Sequence, residues 1–223
     1  MGITRNFRTG EAIRFIGNNP HSKVNKMFDL LYCVIYFPAV LNIKTKVCNG
    51  QINRSQSNYS DVNIDIGNLL DLYGSDKSNP HNYHVLYNEV LREMRQSIST
   101  VLEIGIGSNN LDVVSNMGVK GKPEASLRAF RDWFPNAMIY GADIDTRILF
   151  KERMINTFYV NQLDLSSLDE LKEKIPKSID LIIIDGLHTP RADFNSILKF
   201  LPILSKGGNM FIEDVGENAA RIF

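Results

Sequence analysis

Several apolar runs in this 223-residue chain end on an acid, and the chemistry of the sequence is concentrated at those ends. The sharpest is Val101-Leu102-Glu103-Ile104-Gly105-Ile106-Gly107-Ser108. An aliphatic run that closes on Gly-x-Gly reads as a buried strand turning tightly over a ligand. Dinucleotide folds use such a turn to bring backbone N–H groups against a pyrophosphate, and there a third glycine follows three positions after the second. Asn110 holds that position here. Glu103 stands inside the turn, where its carboxylate repels phosphate and favours a ligand that carries positive charge. The other runs end on Asp143, on Asp164, on Asp185 and on the pair Glu213-Asp214.

S-adenosylmethionine carries an ammonium and a sulfonium, and the acid-x-Gly-x-Gly order is the one expected of the methyltransferase version of the Rossmann fold. Glu103 would then lie near the methionine end, with Gly105 and Gly107 shaping the turn. Asp143 ends the second run, where a Rossmann fold places the carboxylate for the ribose hydroxyls. Ligands in open α/β sheets bind at the carboxyl ends of the strands, so these acids should converge on one cleft. Together they exceed what ribose and ammonium recognition require. Asp185, Glu213 and Asp214 are therefore expected to be oxygen ligands for a hard cation such as Mg²⁺. His188, three residues after Asp185, is the candidate general base.

Five strands must position these groups, at about residues 101–104, 138–145, 157–164, 179–186 and 209–215. Residues 74–81 form a loop by their turn residues and deliver Asp76, Lys77 and His81 ahead of a helix whose face is Tyr83, Leu86, Tyr87, Val90, Leu91 and Met94. A long insert at 109–123 precedes a helix carrying Leu127, Phe130 and Phe134. Ser167-x-x-Glu170 reads as a capping box opening the next helix. Thr189-Pro190 starts another, with Phe194, Ile197, Leu198 and Leu201 on one face, and Gly207-Gly208 ends it. Strands alternating with helices predict an α/β fold, a mostly parallel sheet with flanking helices.

Composition is that of an ordinary globular chain, 43% hydrophobic and 22% charged with a formal net charge of zero. The charge is unevenly spread: residues 1–60 hold eight Lys/Arg against two acids, leaving seventeen against twenty-three in 61–223. Residues 1–60 read as an N-terminal appendage and polar linker, and 61–223 as the catalytic domain. Two cysteines, Cys33 and Cys48, give no metal spacing and no disulfide framework, which suits a reducing, cytoplasmic setting. Residues 30–41 are the most apolar stretch, interrupted by Pro38, and fall short of the roughly 20 residues that span a bilayer. No membrane partner is expected. Asn6 argues against myristoylation at Gly2.

The ordered set Ser75-Asp76-Lys77 with His81-x-Tyr83, Leu102-Glu103-Ile104-Gly105-Ile106-Gly107, Ser126-Leu127-Arg128-Ala129-Phe130, Phe134-Pro135-Asn136-Ala137, Tyr140-Gly141-Ala142-Asp143-Ile144-Asp145, Asp185-Gly186-Leu187-His188 and Ile212-Glu213-Asp214 resembles the macrolide-sugar O-methyltransferases. Those are metal-dependent enzymes that methylate a hydroxyl of a deoxysugar, and the resemblance covers about residues 69–215. It implies that Asp185, Glu213 and Asp214 hold Mg²⁺ and that His188 is the base. It also implies that Glu103, Gly105, Gly107, Asp143, Ser126, Lys77, His81 and the Gln162/Asp164 segment surround S-adenosylmethionine. Three departures stand out: Ile184 where relatives often have a second acid, Glu124 in place of a glycine, and an ending at Phe223 where this fold normally continues into two more strands. The sheet is therefore expected to be completed by residues outside this chain or by another subunit, so a homo-oligomer is compatible with it. The expected function is O-methylation of a sugar hydroxyl on a glycan or glycosylated natural product. The alternatives are an RNA methyltransferase that uses the basic arm for phosphates, and an inactive cofactor-binding scaffold.

Overall fold

The computed structural model describes three strands, β1 (Gly2–Asn6), β2 (Ala12–Phe15) and β3 (Lys44–Cys48), together with residues 65–215. In chain order the latter form α1 (Ile66–Tyr73), α2 (Tyr83–Leu91), β4 (Thr100–Ile104), α3 (Ala125–Trp133), β5 (Met138–Asp143), β6 (Lys151–Glu152), β7 (Ile155–Tyr159), α4 (Leu165–Lys174), β8 (Ile179–Ile184), α5 (Pro190–Phe200) and β9 (Leu204–Ile212). One sheet runs in the order β3-β1-β2-β9-β8-β4-β5-β7-β6. From β2 to β7 all neighbours are parallel, and β1, β3 and β6 pair antiparallel at the two ends.

Alternation along the strands sorts the core into two layers. Leu102, Ile104, Ile182, Ile184, Met210 and Ile212 pack with Leu168 and Leu171 of α4 and Ile197 and Phe200 of α5. Val101, Ile139, Leu181, Ile183 and Phe211 pack on the other face with side chains of α1, α2 and α3, among them Leu70, Tyr87, Phe130 and Trp133. A sheet covered on both faces explains why β8 reads as an unbroken aliphatic run.

The same alternation decides where the acids go. Glu103 shares the face of Val101, Ile183 and Phe211, and the pairing of Ile104 with Ile184 and Ile184 with Ile212 puts Asp185 and Glu213 one step further on that face of the two neighbouring strands. Three carboxylates are thereby brought together at the carboxyl ends of β4, β8 and β9, beneath α2 and the loop that leads to it.

Local readings change at four places. The third core strand is β7, ending at Tyr159, so residues 160–164 form a connection instead of a strand end. Helix α4 is capped by Asp164, whose side chain accepts from Ser166 N at 2.9 Å, while Ser167 Oγ is turned inward and accepts from Asn161 N at 2.9 Å. Gly207-Gly208 lies within β9 and not after α5: the register jumps from Ile179↔Leu204 to Leu181↔Asn209, and the chain bulges between them with Gly207 at φ +82°. Helix α5 has already stopped at Phe200. Finally, the edge of β9 that the sequence leaves open is met by β2, which runs parallel to it from Ala12↔Asn209 to Phe15↔Ile212. Strands from the expected appendage thus enter the same sheet as the rest. The apolar stretch 30–41 lies outside the described residues; among those described, no helix is long and apolar enough to cross a membrane.

Candidate active site

The glycine turn is built by close approach. Gly105 adopts φ +85°, and a Cβ there would sit 2.2 Å from the Asp185 carbonyl oxygen, so only glycine lets the β4 turn pass against the β8 loop. Backbone hydrogen bonds lace the strand ends together: Gly105 N to Ala142 O at 2.8 Å, Asp185 N to Ile104 O at 2.7 Å and Glu213 N to Ile184 O at 2.9 Å. Asp143 braces the turn from the side, accepting from Ile106 N and from Asp145 N, both at 2.9 Å. The missing third glycine has a counterpart in chemistry, because Asn110 Nδ2 and Ser108 Oγ each donate to Asp145 Oδ2 at 2.6 Å.

Over this turn lies a cavity of about 300 Å³. Lys77, His81, Glu103, Gly105, Gly107 and Ser126 line it, and so do Asp185, His188 and Asp214. Glu213 is fully buried beneath it. Nine of the thirteen residues singled out from sequence therefore share one wall-to-wall space, with Glu213 as its floor. Asp143, Gln162 and Asp164 stand outside the lining. Gln162 works behind the site: its Oε1 accepts from Leu187 N at 2.8 Å, its Nε2 donates to Ser196 Oγ at 3.0 Å, and it packs where a Cβ on Gly186 would be. Asp164 is the α4 cap already described.

Charge in the site centres on Lys77. Its buried ammonium contacts the carboxylates of Asp185 and Glu213 and lies 3.2 Å from Glu103 Oε1. Burial alone would lower the affinity of Lys77 for its proton, but Asp185, Glu213 and Glu103 together hold it well above the ordinary lysine value. Glu213 is pushed up to about 7 by burial, against the pull of Lys77. Glu103 is raised by burial too, opposed by Lys77 and by Ser126, whose hydroxyl donates to Glu103 Oε2 at 2.7 Å. Glu213 Oε1 is buried without any hydrogen bond, and so is His188 Nδ1.

A second group faces the cavity. Asp185, His188 and Asp214 bring one ligand atom each within 4.8 Å of one another, and His188 Nε2 is 3.9 Å from Asp185 Oδ1. His188 and Asp214 both occupy the left-handed region, at φ 53° and 51°. Non-glycine residues rarely adopt this conformation, and such outliers are enriched at active sites. The Tyr83 hydroxyl donates to Asp214, and burial with the nearby Glu213 and Asp214 charges keeps that phenol protonated. His81 Nδ1 stands 4.0 Å from Asp214 Oδ1.

The donor set fits a divalent cation: carboxylates and an imidazole in mutual reach, with an orphaned buried oxygen on Glu213 next to them. The expected trio of Asp185, Glu213 and Asp214 differs in one respect, since Glu213 is engaged by Lys77 and His188 joins the cluster.

Sequence reasoning passed over three contributors. The insert at 109–123 supplies part of the cavity wall, including Val114, Met117 and Lys122. Tyr83, which the sequence places on a helical core face and in the motif His81-x-Tyr83 without a role, lines the cavity and donates to Asp214. Asp193 of α5 is buried and driven well above the usual carboxylate range by burial, with the charges of Asp185 and Asp214 adding to it. An acid in the first turn of a helix gives no signal beyond ordinary capping.

Residues 122–215 match a family described as a methyltransferase domain. The 8-demethyl-8-alpha-L-rhamnosyl tetracenomycin-C 2'-O-methyltransferase of Streptomyces olivaceus is 31% identical over 143 residues, 64% of this chain and 35% of that protein. The mycinamicin VI 2''-O-methyltransferase of Micromonospora griseorubida is 32% identical over 132 residues, 58% of this chain and 30% of that protein. Among solved structures, the MycE methyltransferase from the mycinamycin biosynthetic pathway, in complex with Mg, SAH and mycinamycin VI, superposes with a TM-score of 0.56 at 26% identity, covering 66% of this chain and 38% of that one. The chain spans about a third of the length of these curated relatives.

Proposed function

We propose that the chain carries a Rossmann-like methyltransferase domain like that of the sugar O-methyltransferases it resembles, and that it transfers a methyl group from S-adenosylmethionine to a sugar hydroxyl of a glycosylated natural product or glycan, with a divalent cation. The observation that carries this reading is the convergence of Glu103, Asp185, His188, Glu213 and Asp214 on one cavity at the carboxyl ends of β4, β8 and β9. The relatives lend nothing to the RNA-modifying or non-catalytic alternatives.

In this reading Glu103 receives the ammonium of the cofactor, and Gly105 and Gly107 let the backbone approach it. Asp143, whose oxygens already take two backbone N–H groups, has lone pairs left for the ribose hydroxyls. Asp185, Asp214 and Glu213 would hold the cation, and His188 lies within reach of Asp185 and Asp214. A bound Mg²⁺ would act as a Lewis acid that makes a sugar hydroxyl easier to deprotonate. The chain's own part is proton removal and placement. An imidazole nitrogen of His188 takes the hydroxyl proton as the oxygen forms its bond to the methyl carbon and the carbon–sulfur bond breaks, leaving its electron pair on sulfur. Asp185, 3.9 Å from His188 Nε2, stabilises the imidazolium that results. Placement of the oxygen about 3–3.5 Å from the methyl carbon supplies much of the remaining acceleration.

Calorimetry with S-adenosylhomocysteine tests the cofactor assignment. Binding to the protein, with weakening in Asp143→Ala by roughly 1.5–3 kcal/mol, is expected for hydrogen bonds to a charged group. Tight NAD binding in its place, or no S-adenosylhomocysteine binding at all, overturns it.

A further inference from the structure

Resting on the metal-dependent reading above, we propose that Lys77 is an internal counter-ion: its ammonium and the divalent cation compete for the Asp185 and Glu213 carboxylates, and Lys77 withdraws when the cation enters. The contacts motivate this directly. Lys77 Nζ takes Asp185 Oδ2 and Glu213 Oε2, so a cation on the same two carboxylates would have an ammonium as its immediate neighbour unless Lys77 withdraws. The two cations would also repel one another across the same pair of carboxylates. Without the cation, Lys77 is the one positive side chain in contact with Glu103, Asp185 and Glu213 among the described residues, so it holds the three strand ends together against their mutual repulsion.

The loop is built so that the ammonium can leave while its backbone stays. Lys77 O accepts from Tyr83 N at 2.8 Å and from His84 N at 3.4 Å, which pins the residue to the first turn of α2. The charged head hangs from a flexible four-carbon stem beside an open cavity. Its departure also strips the ion pair from Glu103, the acid assigned to the cofactor ammonium, so cation entry clears Glu103 for the cofactor at the same time. A cation that draws Lys77 away and a cofactor that needs Glu103 free must strengthen each other's binding, by reciprocity of coupled equilibria.

The test is Mn²⁺ binding, followed by the paramagnetic signal of the free ion, for the full chain and its Lys77→Met and Lys77→Arg variants. Lys77→Met is expected to bind the ion at least tenfold more tightly than the unaltered protein, and Lys77→Arg, which keeps the charge, no more tightly than it. A second measurement needs no variant. Lys77 is 4% exposed, so an amine-reactive reagent should label it slowly, and Mg²⁺ should raise its labelling severalfold, read by mass spectrometry of the peptide. Unchanged or weaker ion binding in Lys77→Met, or labelling of Lys77 that Mg²⁺ leaves alone or slows, overturns the proposal while leaving metal dependence intact. No ion binding by any of the three proteins overturns the metal-dependent reading itself, and this inference with it.

Discussion

His188 is the residue on which the proposed reaction turns, since its ring lies beside Asp185 and Asp214 while its Nδ1 is buried without a partner. His188→Ala should cost about 10²–10⁴ in turnover, the range for a general base. Calorimetry should find S-adenosylhomocysteine binding within a few-fold of the unaltered protein, and a comparable loss of cofactor binding would place His188 in the cofactor site. Asp193 makes a different kind of prediction. Its folded-state carboxyl is raised by burial, so the unfolded chain releases that proton at lower pH than the folded one does. Stability from this group is therefore present below the ordinary carboxylate value and lost as pH rises above it. Asp193→Asn removes that term, so urea unfolding should show the variant gaining on the unaltered protein between pH 4 and pH 8, and a constant difference across that range would contradict the assignment. At this scale Glu103, Asp143, Asp185 and Glu213 were legible, because a run that ends on a carboxylate places it at the binding edge of a parallel sheet; Asp164 was not, since its strand ends at Tyr159 and it caps α4. Lys77 was legible as a polar group delivered to the cleft and, by the resemblance, as a residue around S-adenosylmethionine, but not as the partner of three acids. Which three acids it meets depends on the loop before α2 closing over β4, β8 and β9, and nothing in its neighbours' spacing encodes that.

The turn after β4 and the insert that follows it are the elements that shape the cavity. Three glycines there are left-handed, Gly105, Gly107 and Gly118, and the first and last have opposite surroundings. Gly105 has Asp185 O at 2.2 Å from an added Cβ, whereas Gly118, at φ +73°, has nothing within 4 Å. Gly118→Ala should cost only the backbone penalty of about 1–2 kcal/mol. Gly105→Ala must also push β4 and the β8 loop apart, so denaturant melts should show it substantially less stable than Gly118→Ala; equal stabilities would mean the close approach is not real. Element types were readable from periodicity, down to Pro190 opening α5. The ends were harder where two signals compete. Asp164 and Ser167 can each cap α4, and the choice goes to Asp164 because Ser167 is needed inward against Asn161. Gly207-Gly208 carries the usual mark of a helix stop, yet it serves a bulge in β9 that becomes visible only once β8 is its partner.

At the scale of the molecule, nine strands among the described residues form one sheet in which β2 closes the edge of β9. Residues 1–60 showed no motif, since a short strand that adds to an existing edge needs only backbone to do so. Exposed strand edges invite self-association. Deletion of residues 1–60 should therefore produce concentration-dependent oligomers by light scattering, and a monodisperse monomer would show that the edge needs no cover. The parallel core between β9 and β7 carries Glu103, Asp143, Asp185 and Glu213 at its carboxyl edge, and the likeness to MycE extends over 66% of the chain. Transfer of a labelled methyl group from S-adenosylmethionine to a panel of free sugars, glycosides and glycans, with and without EDTA, tests the whole of this account. Label should appear on a sugar oxygen, vanish in EDTA and return with Mg²⁺. Full transfer in the chelator, or label on RNA and on no sugar, would contradict it.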